Sequence, residues 1–259
     1  MGSGRLSRIA AVAANTFRET VRERVFYNLL IFALLMTFSG LLMARLSIRQ
    51  HDKIIKDIGL ASIDVFGSLI AILIGVGLVA KEIERRSLHP LLAKPLGRGE
   101  FFLGRFAGLG LTLLFNVAAM TAGLLLTLWA SGARTDLRLL KGVYALYLGL
   151  LLIVSLAMLL STLTSSALAA LITFCLVVAG RLSDVIRNMR TVAPDVPAWL
   201  VQALYYVVPN FRNFDLKDRV TYGDPVALAV LGWVTLYAIG YMALSLGIGV
   251  AVFRSRDLA

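Results

Sequence analysis

The longest stretch of the sequence without a charged residue runs from Gly142 to Gly180 and reads GVYALYLGLLLIVSLAMLLSTLTSSALAALITFCLVVAG. As a single helix its 39 residues would be about 58 Å long, nearly twice the ~30 Å hydrocarbon core of a bilayer. Small hydroxyl residues, which are typical of turns and helix caps, occupy its middle at 161–166 (STLTSS). The stretch therefore predicts two membrane-spanning helices joined by a tight turn.

The composition of the 259-residue chain points the same way, because 59% of the residues are hydrophobic and only 16% are charged. Soluble domains have about 45–50% apolar and about 25% charged residues. An ordinary soluble enzyme, a disordered chain and a fibrous repeat are therefore excluded. The single cysteine, Cys175, excludes a disulfide scaffold and a CxxC site, and two histidines leave little material for a metal centre.

Four other charge-free runs predict further spans, at 25–44, 65–80, 106–133 and 225–253. We therefore predict an all-α integral membrane protein in which a single domain, residues 1–259, contains six transmembrane helices. A β-barrel is excluded because barrel strands alternate and stay near ten residues. The predicted spans lie near 25–44, 63–81, 105–129, 143–163, 167–180 and 226–252.

The orientation in the membrane follows from the basic residues. An even number of spans places both termini on one side. Lys and Arg number 13 on the side of the termini and 13 on the opposite side, which is a tie. Long loops count less in the positive-inside rule, and the longest loop, 181–224, lies opposite the termini. We therefore predict that both termini are cytoplasmic.

Three polar segments carry apolar stripes of their own. Residues 4–24 predict an amphipathic helix that lies on the membrane surface with its basic face toward anionic headgroups. Residues 45–62 predict a short helix on the far side. In the loop 181–224, the charge-free run 196–211 predicts an interfacial or re-entrant helix, with a seventh span as the alternative. The apolar positions of the first segment are Leu6, Ile9, Ala13, Phe17 and Val21.

Two features of span 3 concern helix packing. Gly104 and Gly108 form a GxxxG pair, a spacing that allows close approach but is common by chance in a chain with 22 glycines. Asn116 is predicted to face protein, where hydrogen bonding across helices is favoured over lining a path.

The polar loop between spans 2 and 3, residues 81–105, reads KEIERRSLHPLLAKPLGRGEFFLGR. Ser87 suits a helix N-cap, Pro90 suits the first turn that follows, and Pro95 ends the helix. These residues indicate a short transverse helix held between two membrane helices. An ordinary interfacial loop with solvated charges is the equal alternative.

This loop, with the order of segments along the chain, resembles the ABC-2 family of ABC-transporter permease subunits. Among bacterial members, the nitrous-oxide-reductase maturation and gliding-motility permeases are similar. The resemblance is carried by 82–95 (EIERRSLHPLLAKP), 97–101 (GRGEF), Gly104, 209–211 (PNF), Phe214-Asp215 and 253–258 (FRSRDL).

The resemblance implies a permease dimer in the bacterial cytoplasmic (inner) membrane, driven by two copies of a separate ABC ATP-binding subunit. A homodimer is expected, with a heterodimer as the alternative. It identifies the loop after span 2 as the coupling helix that contacts this ATPase. The turn between spans 4 and 5 is implied as a second, minor contact. The residues implied at this ATPase-coupling interface are Glu82, Glu84, Arg85, Arg86, Leu88, His89, Leu91 and Leu92, with Thr164 and Ser165 in the turn.

The sequence contains no GxxxxGK[ST] motif, so ATP and Mg²⁺ are expected in the partner ATPase. No catalytic, cofactor-binding or metal site is predicted in this chain, which is expected not to be an enzyme. Only Asp64 and Lys81 approach the membrane core, both at span ends. This scarcity of charge favours an apolar or amphipathic cargo over an ion-coupled carrier, and the resemblance favours export.

Other functions stay open from the sequence. One is a membrane anchor for an ABC ATPase that does mechanical or assembly work without moving cargo, and another is an ion-coupled secondary transporter. An enzyme is disfavoured because the acids of the outer loop are scattered, with Asp215 and Asp218 predicted to be solvated. The expected partners are the ATPase, a second permease copy and membrane lipid, and not nucleic acid.

Overall fold

The computed structural model describes residues 3–46, 51–85, 97–133, 136, 138–187, 197 and 208–255. Regular structure among these residues is entirely helical, which confirms the predicted all-α class. The helices are α1 (Ser3–Val21), α2 (Arg24–Leu46), α3 (His51–Arg85), α4 (Arg98–Ala130), α5 (Arg138–Leu163), α6 (Ser166–Arg181), α7 (Ser183–Arg187), α8 (Lys217–Tyr222) and α9 (Leu228–Ser255), with a 3₁₀ turn at Phe211–Phe214.

Each predicted span lies on one helix, and the six helices are α2, α3, α4, α5, α6 and α9. By length and composition, four of these helices are able to cross a membrane, and the apolar parts of α2 (Leu29–Leu42) and α6 are shorter. The membrane character of the chain is therefore confirmed, and the total of six crossings stays a prediction. The four qualifying stretches are Asp52–Gly77, Gly99–Ala130, Arg138–Leu163 and Leu228–Phe253.

Helices α3 and α5 run side by side in the same direction. Gly67 faces Leu150, whose Cδ1 would lie 2.8 Å from a Cβ atom at residue 67. Further along both helices, the Ser161 hydroxyl donates a hydrogen bond to the carbonyl oxygen of Val76 (3.3 Å). The C-terminal ends of α3 and α5 therefore lie at the same end of the bundle.

The other long helices complete the topology. Near the starts of α5 and α9, the hydroxyls of Tyr144 and Thr235 are 3.0 Å apart, so α9 also runs in this direction. At the opposite end of α9, the Phe253 ring lies 6.1 Å from the Phe102 ring at the start of α4, which runs the opposite way. We call the end that holds the C-termini of α3, α5 and α9 the near end, and the opposite end the far end.

Helix α1 packs along the first half of α4, and the two glycines of the GxxxG pair make this possible. A Cβ atom at Gly104 would lie 2.8 Å from Val12 Cβ, and one at Gly108 would lie 2.6 Å from Thr16 Cβ. Val12 and Thr16 on α1, like Gly104 and Gly108 on α4, are four residues apart and meet in the same order, so the two helices run parallel. The GxxxG pair, a weak signal in the sequence, is therefore a packing surface for α1.

The structure confirms that residues 3–21 are helical but differs from the prediction in what covers the helix. The helix packs against α4 through a face that includes Ala13 of the predicted apolar stripe and also Thr16 and Thr20, and all three are buried. Thr20 tolerates burial because its hydroxyl donates to the Thr16 carbonyl oxygen (2.9 Å) within the helix.

Helix α3 also differs from its prediction. The sequence indicated a short far-side helix within 45–62 and a separate span at 63–81, whereas His51–Arg85 is one helix of 35 residues, about 52 Å long. The helix is continuous through its glycines, of which Gly67 meets Leu150 and Gly75 meets Ala157 at close helix contacts. One continuous helix therefore reaches from the far end past the predicted membrane boundary at the near end.

Candidate functional site

The predicted turn in the charge-free stretch is present at residues 164–165, between α5 and α6. The Thr164 backbone N–H and hydroxyl both donate to the Leu160 carbonyl oxygen, at 3.0 and 3.3 Å, which closes the last turn of α5. Ser165 occupies the N-cap position of α6 in an extended conformation, and its side chain is exposed. The turn is thus a compact protrusion of the near end.

The other residues implied at the ATPase interface lie at the same end. The backbone of Glu82, Glu84 and Arg85 forms the last turns of α3. Their side chains lie outside the described residues. The residues of the predicted coupling helix that follow, namely Arg86, Leu88, His89, Leu91 and Leu92, also lie outside the described residues.

The relation between the turn and α3 follows from the contact between Ser161 and Val76. The turn begins three residues after Ser161, whereas Arg85 lies nine residues after Val76. Helix α3 therefore projects about 9 Å further than the turn. The structure places both regions that the resemblance assigns to the ATPase at the near end, with α3 reaching further out.

A cluster of charged side chains at the far end joins three helices. The Asp64 carboxylate of α3 accepts a hydrogen bond from Arg181 Nη2 of α6 (2.6 Å) and forms an ion pair with Lys217 Nζ of α8 (3.1 Å). Arg181 Nη2 also donates to the Ser68 hydroxyl, one turn further along α3 (2.7 Å). Asp64 therefore links α6 and α8 to the longest helix of the described chain.

This cluster is more buried than an ordinary surface ion pair. The side-chain exposures are 13% for Asp64, 19% for Lys217 and 33% for Arg181. Desolvation alone lowers the pKa of Lys217, but the carboxylates of Asp64 and Asp215 outweigh it, so the pKa lies above its usual 10.5. The stabilisation that Lys217 contributes is complete below pH 10.5. It is lost only as the pH rises through the higher pKa that Lys217 has in the folded protein.

Residues 208–223, which we call the far-end segment, pack onto glycines of the membrane helices. The Phe211 ring and the Pro209 carbonyl oxygen lie directly against Gly180 of α6. Phe214 lies against Gly149 of α5, with its Cβ 3.2 Å from the position of an added Cβ atom. A side chain at either glycine would occupy the space that the segment fills.

Asn210 fixes the start of the far-end segment through three hydrogen bonds. Its side-chain oxygen accepts from the Ser183 hydroxyl (2.8 Å) and from the backbone N–H of Arg212 (3.0 Å). Its own backbone N–H donates to the Tyr237 hydroxyl of α9 (2.7 Å). The side chain of Arg212 in turn pairs with Asp184 of α7.

A cleft of about 940 Å³ opens beside the segment at the far end. Its apolar lining includes Leu150 of α5 and Trp233 of α9. Its charged lining includes Asp64, Arg181 and Lys217. Within the described ranges, no group of three or more His, Cys, Asp or Glu side chains is arranged to hold a metal ion.

The chain matches one known protein family over a stretch that includes the near-end turn, α3 and part of the far-end cluster. A sequence model described as "ABC-2 family transporter protein" matches residues 10–182, which is well over half of the chain. The chain belongs to the ABC-2 family. A comparison with curated proteins finds no match. The match runs from α1 through the end of α6, so it includes Asp64 and Arg181 and stops before Lys217.

Membership makes this chain a multi-pass membrane protein and a permease component of an ABC transporter. ABC-2 permeases generally work with an ATP-binding subunit. The resemblance found in the sequence is therefore confirmed at the level of the family, whereas the residues of the ATPase interface stay predictions.

The far-end cluster of this ABC-2 permease was missed by the sequence analysis. Asp215 and Asp218 are exposed, as predicted, but Lys217 between them is largely buried and reaches Asp64. The one available signal was Asp64 itself, because a carboxylate at the edge of an apolar run needs a cationic partner. Its partners are 117 and 153 residues away along the chain, so sequence proximity gave no indication of them.

Asn116 of α4 faces protein, as predicted, and is 0% exposed. Neither its amide nitrogen nor its amide oxygen has a hydrogen-bond partner among the described residues, so the predicted bond across helices is not formed. A buried polar group without partners costs about 1–3 kcal/mol. Replacing Asn116 with leucine, which has a similar volume, is therefore expected to raise the free energy of unfolding of the ABC-2 permease by about that amount.

Thermal unfolding of the purified permease in detergent measures this effect. Thr112→Val is the matched control, because the Thr112 hydroxyl lies one turn earlier on α4 and is already bonded to the Gly108 carbonyl oxygen (3.0 Å). That variant is expected to be neutral or less stable. An Asn116→Leu permease that unfolds at a lower temperature than wild type would show that the amide is satisfied, for example by a buried water molecule.

Proposed function

We propose that this ABC-2 permease is one half of a homodimeric exporter in the bacterial inner membrane. A separate ATPase, bound in two copies at a cytoplasmic near end, drives it through the coupling helix after α3. The observation that carries this proposal is the continuity of α3 from the far-end cluster to Arg85, where the predicted coupling helix begins. A rigid helix of this length transmits a displacement at one end directly to the other.

The cargo proposed is apolar or amphipathic. The long runs of α4, α5 and α9 carry no charge, and Asp64, the buried acid in the predicted spans, is already neutralised by two cations. The far-end cleft combines an apolar lining with a charged one, which suits an amphipathic molecule. A protonatable carboxylate in mid-span, the usual sign of ion coupling, is not found among the described residues.

Homodimer formation is supported by apolar side chains that α2 and α9 leave uncovered. Leu42 on α2 and Trp233 on α9 are among the most exposed apolar residues of the described chain. Such faces are stable against lipid or against a second copy. We further propose that the chain itself is not catalytic and that ATP and Mg²⁺ bind only to the partner.

Changing Arg85, Arg86 and Leu91 together to aspartate is expected to abolish binding of the ATPase. The triple variant reverses two charges and places a third carboxylate on the apolar side of the proposed coupling helix, so it opposes both kinds of contact. Co-purification of the tagged permease with the ATPase encoded beside it measures the effect, and a loss of more than about tenfold is expected.

The matched control changes Arg187, Arg219 and Leu182 to aspartate. These are also two arginines and one leucine, all exposed, but they lie at the far end. This variant is expected to retain the ATPase. Undiminished co-purification of the near-end triple variant would contradict the assignment of the coupling helix.

The alternative function, a membrane anchor for mechanical or assembly work, uses the same contact with the ATPase. The two functions differ in whether cargo moves. In vesicles that contain the purified complex, an exporter releases a lipid-like fluorescent probe into the opposite leaflet only when ATP is present. Hydrolysis of ATP without redistribution of any amphipathic probe would favour the anchor.

A further inference from the structure

We propose that Asp64 is a positioning residue for transport, which couples α3 to the far-end segment so that a displacement driven at the near end changes the far-end cleft. This inference rests on the proposed function, because it requires a drive at the near end. No motif in the sequence assigns Asp64 such a role, and it stands on the geometry of the cluster.

Charged contacts connect the far-end segment to α3. Lys217 pairs with Asp64, and five residues later the Tyr222 ring lies 4.8 Å from Lys53 Nζ, in a cation–π contact. The segment contacts α5 and α6 through apolar side chains on glycines, such as Phe214 on Gly149, and the Arg138 side chain of α5 donates to the Gly223 carbonyl oxygen. Movement of α3 relative to α5 therefore acts on the segment from the side of α3 through Lys217 and Tyr222.

Lys217 has a second acid within reach, which gives the contact two positions. Its Nζ lies 3.1 Å from Asp64 Oδ2 and 3.5 Å from Asp215 Oδ2. Because Asp215 is exposed and belongs to the segment itself, Lys217 can leave Asp64 without becoming an unpaired buried charge. Asp64 then keeps Arg181, so neither state leaves an isolated buried ion.

The packing of α3 is suited to a small sliding motion. From Asp64 to Arg85 the helix is continuous for 21 residues, about 31 Å. Two of its contacts with α5 are made by Gly67 and Gly75, which present no side chain to the neighbouring helix. A shear motion is a small sliding of one packed helix along another.

The cleft is lined by the residues that this motion would displace. Asp64, Arg181 and Lys217 form part of its charged lining, and Asn210 and Phe214 of the segment also line it. Exchange of Lys217 from Asp64 to Asp215 shifts α8 relative to α3 and so changes the width of the cleft.

Hydrogen–deuterium exchange of the permease–ATPase complex, with and without a non-hydrolysable ATP analogue, tests this inference. In the wild type, the amides of 208–226 and of the last turns of α3 are both expected to respond to nucleotide. In Lys217→Met, the response of 208–226 is expected to disappear while that of α3 persists. Without nucleotide, 208–226 is expected to exchange about tenfold faster than in wild type, a size between those of surface and buried ion pairs.

Two further variants separate the role of the charge from a general structural one. Lys217→Arg keeps the cation and is expected to restore the nucleotide response. Lys141→Met is the matched control, because Lys141 Nζ donates to the Val226 carbonyl oxygen (3.0 Å) next to the segment and has no hydrogen bond or ion pair with the described residues of α3. It is expected to leave the response intact.

The outcomes distinguish this inference from the proposed function. A nucleotide response of 208–226 that survives in Lys217→Met, in a complex that still binds the ATPase, overturns the coupling role of Asp64 and leaves the exporter in place. Failure of α3 to respond to nucleotide in the wild-type complex overturns the proposed function and this inference with it.

Discussion

Replacing Gly108 with leucine is expected to detach α1 from α4 and to lower the stability of the folded permease by about 1–3 kcal/mol or more. A Cβ atom at this position would lie 2.6 Å from the Ala13 carbonyl oxygen and 2.6 Å from Thr16 Cβ. Because one of these atoms belongs to the backbone of α1, a change of rotamer cannot relieve the clash. The whole helix has to move away.

Tryptic cleavage next to Arg18 and Arg22, followed over time, measures whether α1 has separated, and thermal unfolding measures the loss of stability. Gly77→Leu is the matched control, since a Cβ atom at Gly77 meets no heavy atom within 4 Å. That variant is expected to resist trypsin like the wild type. Equal protection of α1 in the Gly108 variant would show that α1 does not depend on the GxxxG surface.

The second large effect is expected from Gly180→Ala, which adds only one methyl group. That methyl group would overlap the Pro209 carbonyl oxygen and the Phe211 ring at the start of the far-end segment. The Pro209 oxygen cannot yield alone, because Asn210 beside it is held by Ser183 and Tyr237. We therefore expect the segment to lift from α6, with a net loss of about 1–3 kcal/mol, although alanine favours helix by up to about 1 kcal/mol.

Cleavage by trypsin at Lys217 and Arg219 reports this release directly, since both residues belong to α8 of the segment. Gly232→Ala in α9 is the control, because a Cβ atom at Gly232 has no neighbour within 4 Å. It is expected to be neutral or slightly more stable, through helix propensity alone. A Gly180→Ala protein as resistant and as stable as this control would mean that the segment packs less closely than the structure has it.

Of the two glycines on which these predictions depend, the sequence singled out Gly108, through its GxxxG spacing with Gly104, but gave no indication of Gly180. Gly104, Gly108, Gly149 and Gly180 receive a neighbouring element directly, whereas Gly77 lies in open space. Apart from the GxxxG spacing of Gly104 and Gly108, the sequence presents these glycines alike, as small residues of predicted helices. Which of them is a contact depends on which helix lies opposite, and that is a property of the packed bundle.

The helices themselves were largely predictable from the sequence. A charge-free run of about 20 residues has to satisfy its backbone polar groups internally in lipid, and an α-helix is the structure that does so within one segment. For the same reason the break at Thr164–Ser165 could be located, since a run of 39 residues exceeds one membrane thickness. The family resemblance was carried by local motifs, chiefly in the loop after span 2, and membership was confirmed over residues 10–182.

Long-range partners were not predictable. Asp64 was predicted to lie at the end of a span, and the acids on either side of Lys217 were predicted to be solvated. Asp64 and Lys217 nevertheless form an ion pair across 153 residues of chain. The apolar face of α1 was predicted to meet the membrane. An apolar stripe indicates that a helix surface is covered, but it does not identify the element that covers it. Helix α3 was also predicted as two separate helices, since polar residues before Asp64 are compatible with a loop as well as with a helix that emerges from the membrane.

From its sequence, this protein could be recognised as a helical membrane permease of the ABC-2 family, with the spans and the turn in its longest apolar run located. The packing of α1 on α4, the continuity of α3 and the contacts of Asp64 with Arg181 and Lys217 are features of the packed bundle. The physical reason is that helix formation in a membrane follows from local hydrophobicity and length. The pairing of charges and of glycines with their neighbours depends instead on distances that exist only once the helices have packed.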